Sequence, residues 1–98
     1  MTLTTTRFDP MEHLDTTEDY IELLNDALAT RDPRVIINAV GEIARGRGMK
    51  QLAADAGIGR SSLYKALADD GNPTIDTVMK VLDGLKIELR AQPSVAAA

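Results

Sequence analysis

The sequence predicts an all-α fold of five helices, and three observations carry that prediction. Apolar residues recur at three- and four-residue spacing along most of the chain. The apolar stock is aliphatic: 44% of the 98 residues are hydrophobic but only 3% aromatic, namely Phe8, Tyr20 and Tyr64. Capping and turn residues stand at the ends of the periodic runs. Such a composition suits a small helical bundle and is too apolar for a disordered chain. A chain this short forms one small core of modest stability, which leaves oligomerisation open.

Residues 1–14 show no clear periodicity and open with Leu3-Thr4-Thr5-Thr6, which predicts an extended N-terminal arm. Asp15, three residues before Glu18, resembles a capping box and opens a first helix over about residues 16–30. Tyr20, Ile21, Leu24, Ala27 and Leu28 form its apolar face, with Asp19, Glu22 and Asp26 on the other side. Asp32 as N-cap and Pro33 at the first helical position open a second helix. Its apolar stripe is Ile36, Ala39, Val40, Ile43 and Ala44, and Gly46 and Gly48 mark its end. Two short helices follow, around residues 50–56 and 60–68, separated by Gly57-Ile58-Gly59.

The run Asp69-Asp70-Gly71-Asn72-Pro73 is turn chemistry, with Gly71 expected at positive φ and Pro73 holding Asn72 out of helical geometry. Thr74 caps the fifth helix, and Asp76 is well placed against its dipole. Ile75, Val78, Met79, Leu82 and Leu85 are expected to face inward. After Gly84, Ile87 and Leu89 alternate with Glu88 and Arg90, which suits a short strand. The organisation expected is an arm over residues 1–14, a helical domain over 15–91 and a flexible tail over 92–98.

Composition excludes several functions. Zero cysteines remove disulfides, thiolate catalysis and cysteine metal sites, and the lone His13 removes histidine-pair metal sites. No paired carboxylates or nucleophile–base set are recognisable, and Gly46-x-Gly48 lacks the Lys-Ser/Thr ending of a phosphate loop. No apolar run approaches the ~18 residues of a membrane span, and the first nine residues carry no signal pattern. A soluble, intracellular, non-enzymatic domain without cofactor or metal is expected.

Charge is segregated along the chain. Residues 1–44 hold three basic and nine acidic side chains, net −6, and residues 68–98 hold three and five, net −2. Residues 45–67 hold Arg45, Arg47, Lys50, Arg60 and Lys65 against Asp55 alone, net +4, within an overall −4. A basic middle between acidic flanks can present different faces to different partners, although a solvated surface also produces such patterns.

The basic segment has a specific spacing. Two helices crossing over a tight turn need a small residue at their contact, a residue free to take positive φ, and a buried aliphatic beyond. Ala53, Gly57 four residues on and Leu63 six further supply these, backed by Leu52, Ile58, Ala66 and Leu67. This is helix-turn-helix spacing, over about residues 49–68. It turns Gly59, Arg60, Ser61, Ser62, Tyr64 and Lys65 outward as candidate DNA-contacting residues. Arg reads guanine edges, Ser is an adaptable groove donor or acceptor, and the helix N-terminus offers free N–H groups. Lys50 and Gln51 are expected near the phosphate backbone, with Arg45 or Arg47 adding nonspecific attraction. A solvated helical hairpin is the plainer alternative.

Three further runs extend the pattern: residues 47–53 (RGMKQLA), residues 62–67 (SLYKAL), and Gly71-Asn72-Pro73-Thr74 with residues 77–82 (TVMKVL). Together they resemble the addiction-module antidote proteins, bacterial antitoxins with a Cro/phage-repressor-type (XRE-like) helix-turn-helix. The resemblance covers about residues 8–92. It implies a five-helix repressor-like domain that neutralises a RelE/ParE-like toxin in the bacterial cytoplasm and represses its own operon. Two positions depart from the phage-type pattern. Met49 stands where a phosphate-bracing Gln is common, and Gly59 where Ser or Thr usually caps the recognition helix.

Within that resemblance, Glu18, Asp19, Glu22 and Asp26 become candidate toxin-binding residues by charge complementarity to a basic toxin, with Glu12 and Asp15 adding to the acidic charge. Without it they read equally well as a solvated helix face. The arm is a candidate for folding onto a toxin, His13 reads as a surface residue, and the Val95-Ala96-Ala97-Ala98 end reads as a frayed terminus rather than a protease tag. A homodimer is expected because such proteins read two half-sites, and the strand at Ile87 and Leu89 offers itself for pairing across a two-fold. A stand-alone repressor without a toxin, and an interaction module that no longer touches DNA, remain as alternatives.

Overall fold

The computed structural model describes residues 17–94, and helices begin and end close to where the caps place them. They are α1 (Thr17–Thr30), α2 (Pro33–Arg47), α3 (Met49–Ala56), α4 (Arg60–Ala66) and α5 (Ile75–Gly84). The arm, the Asp15 cap, His13 and residues 95–98 lie outside the described residues. α1 packs on α2, α2 on α3, and α3 on both α4 and α5. The centre of the core is aliphatic: Val40 and Ile43 from α2, Leu52 from α3, Leu63 from α4, Val81 from α5 and Leu85 beyond it. Tyr20 and Leu24 close it from α1.

Two N-caps form as their sequence positions require. The Asp32 carboxylate accepts from the Arg34 amide at 2.9 Å, and the Thr74 hydroxyl accepts from the Thr77 amide at 3.2 Å. α3 and α5 both end in Schellman motifs. At α3, Gly57 takes φ +71°, its amide donates to the Ala54 carbonyl, and the Ile58 amide donates to Ala53. At α5 the same role falls to Lys86, φ +63°, whose amide donates to Asp83 while the Ile87 amide donates to Leu82 at 2.9 Å.

A lysine in that conformation crowds its Cβ against its own backbone, a cost of about 1–2 kcal/mol that glycine does not bear. Part of the gain from glycine is offset by the greater freedom it adds to the unfolded chain. Lys86→Gly is therefore expected to stabilise the protein by about 0.5–1 kcal/mol. Thermal denaturation followed by circular dichroism should show Tm rising by several degrees, and a fall would contradict the assignment.

The Lys86 turn also removes the expected strand: no strand occurs among the described residues. Closing the Schellman motif folds Ile87 back onto the core, where it is buried, and leaves Leu89 exposed on an irregular segment. Two further expectations are corrected. Ile75 and Met79 do not face inward; they are 75% and 47% exposed, because α5 turns Val81, Leu82 and Leu85 inward and leaves its first turn outside. Gly71 does not take positive φ; the positive-φ glycines among the described residues are Gly48 and Gly57. α4 is also shorter than expected, ending at Ala66.

Candidate nucleic-acid interface and acidic face

Position and exposure on α4 follow from one buried side chain. Leu63 is fully buried and Leu67, which follows the helix, is buried too, so the helix presses a single narrow stripe on the core. Everything off that stripe is outward. Arg60, Ser61, Ser62, Tyr64 and Lys65 are all exposed, Tyr64 by 54%. Ala53 on α3 is buried, as a close helix contact requires, and the Schellman turn at Gly57 reverses the chain between the two helices.

The six candidates on and before α4 are thus all exposed, spread around the outer side of one short helix and the residue before it. Gly59, φ −61° and ψ 145°, begins α4 without a side-chain cap, so nothing of its own occupies the space before Arg60. Lys50 and Gln51 are exposed on α3. Gln51 donates from Nε2 to Asp55 Oδ1 at 2.9 Å, an intrahelical bond on an exposed surface that a stronger acceptor can replace. Among the described residues, Arg60, Lys65 and Lys50 take part in no salt bridge, so their charge is uncompensated by the fold. Met49 is buried in the core, which explains why an apolar residue stands there.

Two arginines have structural work that the sequence did not reveal. Arg47 Nη1 donates to the Leu85 carbonyl at 3.3 Å, tying the end of α2 to the end of α5. Arg34 Nη1 donates to the carbonyls of Asp69 and Gly71, fastening the start of α2 to the loop after α4. Arg47 is thus partly spent on the fold rather than offered outward.

The acidic face is larger than the first helix. Asp19, Glu22 and Asp26 line one wall of an open groove of about 490 Å³, and Glu42 of α2 lines the other. The buried Tyr20 and Ile43, the half-buried Leu23 and the exposed Gly46 complete its lining. Glu18 is exposed on the first turn of α1, outside the groove. Glu42 escaped sequence reasoning because nothing in α2 marks it. Only the packing of α1 on α2 brings it into the same groove as Glu22 and Asp26. No helix among the described residues is long and apolar enough to cross a membrane, and no cluster of three metal-ligating side chains occurs there.

Fold and surface define a small all-helical domain with a basic, hydroxyl-bearing row on one short helix and an acidic groove between two others. The chain belongs to the family described as "probable addiction module antidote protein", whose profile matches residues 4–93. It is also similar to an uncharacterized protein of Haemophilus influenzae (strain Rd), 47% identical over 87 residues, which cover 89% of this chain and 90% of that protein. No solved structure matches. An antidote implies a toxin, so the family points to a regulatory partner-binding protein rather than a catalyst.

Proposed function

We propose that the protein is the antitoxin of a type II toxin–antitoxin module. It neutralises a RelE/ParE-like toxin by direct binding and, as a homodimer in the bacterial cytoplasm, represses its own operon through a helix-turn-helix of the XRE type formed by α3 and α4. The observation that carries the DNA reading is the row of Arg60, Ser61, Ser62, Tyr64 and Lys65. Its side chains are exposed, its charges take part in no salt bridge among the described residues, and the buried Leu63 and Leu67 hold the helix to the core. Lys50, Gln51 and the backbone at Gly59 flank it as phosphate-positioning contacts. Two experiments test the whole reading: co-expression pull-down with the product of the neighbouring gene, and retention of the chain's own promoter in a gel shift across salt. Capture together with specific, salt-sensitive retention is expected. Retention without a captured partner would leave a stand-alone repressor, and capture without retention an interaction module.

Toxin binding is assigned to the acidic groove, because RNA-cleaving toxins tend to present basic surfaces and Glu42 adds a second acidic wall to α1. Glu22→Lys with Asp26→Lys is expected to weaken toxin capture at least tenfold and to flatten its salt dependence, with promoter retention unchanged. An unaltered toxin affinity, measured by titration calorimetry, would remove this face from the interface.

A further inference from the structure

Two features of α2 act on the far end of α4, the helix that begins at Arg60. Arg34 stands in the first turn of α2, where the Asp32 carboxylate accepts from its amide. Its guanidinium donates from Nη1 to the backbone carbonyls of Asp69 and Gly71, in the loop that leaves α4. Among the described residues Arg34 takes part in no salt bridge, so carbonyl positions hold it, not the neighbouring carboxylates. Gly71 in turn lies against the last turn of α4: a Cβ on it would stand 2.7 Å from the Lys65 carbonyl oxygen. Two turns further along α2, the buried Gly41 lies against the Leu67 carbonyl. A Cβ there would stand 3.3 Å from that oxygen and 3.2 Å from Arg45 Nη1.

We infer that Arg34 is a positioning residue for the DNA interface: it holds the end of α4 against α2 without itself touching nucleic acid. The inference rests on the DNA reading above and names the group that sets the helix's orientation. α4 has seven residues and is fixed to the core by Leu63 and Leu67, four positions apart and therefore nearly in line along the helix. Two anchors in line leave a helix free to roll about them. Its start cannot stop the roll, because Gly59 supplies no side-chain cap. Its end can, because the last carbonyls of a helix lack partners within it. The two N–H groups of Nη1 lie in the rigid guanidinium plane, so the Asp69 and Gly71 carbonyls are held in direction as well as distance. Gly41 lets α2 approach the Leu67 carbonyl from the same side. A roll of α4 misaligns a bidentate contact to a base edge, whereas attraction to phosphates tolerates it. Loss of Arg34 therefore costs sequence preference before it costs general affinity.

The test joins two measurements on the full chain carrying Arg34→Ala, an exposed site where alanine suits the helix. Fluorescence anisotropy gives affinity for the chain's own promoter and for an unrelated duplex of equal length, each across salt. Amide hydrogen exchange followed by NMR reads the end of α4 without DNA. Promoter affinity is expected to fall about tenfold, with affinity for the unrelated duplex and the salt slope unchanged. The amides of Leu67 and Gly71, which donate to Leu63 and Ala68, are expected to exchange faster while those of α1 do not. Gly41→Ala removes no charge from a buried position and is expected to weaken promoter binding in the same selective way. Equal weakening on both duplexes with a slope lower by about one unit would mean that Arg34 meets a phosphate itself, which overturns the inference. Exchange accelerated equally throughout the chain would show that Arg34 only stabilises the fold, which also overturns it. So does unaltered promoter affinity despite faster exchange at Leu67 and Gly71. A wild type that does not retain its promoter counts against the DNA reading, and the exchange measurement then decides the hold on α4 by itself.

Discussion

Arg60→Ala with Lys65→Ala should abolish retention of the chain's own promoter in a gel shift while toxin capture in a pull-down survives. The effect is large because the two side chains supply different terms. A guanidinium that bridges the acceptors of one guanine contributes about 1–3 kcal/mol of discrimination, roughly five- to 150-fold in affinity. A lysine on phosphate contributes without regard to sequence, and its loss lowers the slope of affinity against salt by about one unit. Arg60 has no ion pair among the described residues to give up, and Gly59 places no side chain in front of it. Arg60→Lys separates the terms: charge remains but the fork is lost, so salt dependence should persist while preference for the operator collapses. A folded double variant that also loses toxin capture would mean that one surface serves both partners. Wild-type retention by the double variant would remove α4 from the DNA interface.

That α4 faces outward was legible in the sequence, for a simple reason. The spacing of Ala53, Gly57 and Leu63 fixes which side of a seven-residue helix is buried, and the rest of such a short helix has nowhere to go but solvent. The helix boundaries were legible too, because Asp32, Pro33, Gly57 and Thr74 act locally and their caps form between near neighbours in the chain. What escaped was set between elements. The 3.6-residue period places Ile75 and Met79 at the edge of α5's apolar stripe. Which edge is buried depends on where α3 lies. Gly84 decides that: a Cβ there would stand 2.9 Å from Leu52 Cδ1, so the two helices meet at the far end of α5 and its first turn is left outside. Glu42 joins the acidic groove only because α1 lies against α2. Lys86 gave no sign of a left-handed turn because the usual residue there is glycine, and tertiary packing of Ile87 imposes the turn on a lysine.

Gly71→Ala, in the loop after α4, should be more disruptive than Gly57→Ala, and for a reason opposite to the usual one. At Gly57 the constraint is conformational: φ is +71°, and a Cβ there would meet nothing within 4 Å. Alanine there costs about 1–2 kcal/mol, and asparagine, which tolerates that backbone, costs less. Gly71 has no positive φ, yet its Cβ would fall on the Ala66 carbonyl oxygen and 2.7 Å from that of Lys65. The loop crosses directly against the end of α4, anchored by the Gly71 amide donating to Ala68 at 2.8 Å and by Arg34 donating to the Gly71 carbonyl at 3.1 Å. Both contacting atoms are backbone, so no side chain can swing away. Either the loop or the last turn of α4 must move, at a cost of about 2–3 kcal/mol and a Tm lower by roughly 10 °C. Asparagine should be no better than alanine at position 71, whereas at 57 it should be clearly better. If asparagine rescues position 71, the requirement is conformational after all. Lys65 sits on the turn that must shift, so a Gly71→Ala protein still folded at low temperature should also bind its promoter more weakly, although residue 71 lies outside the contact row.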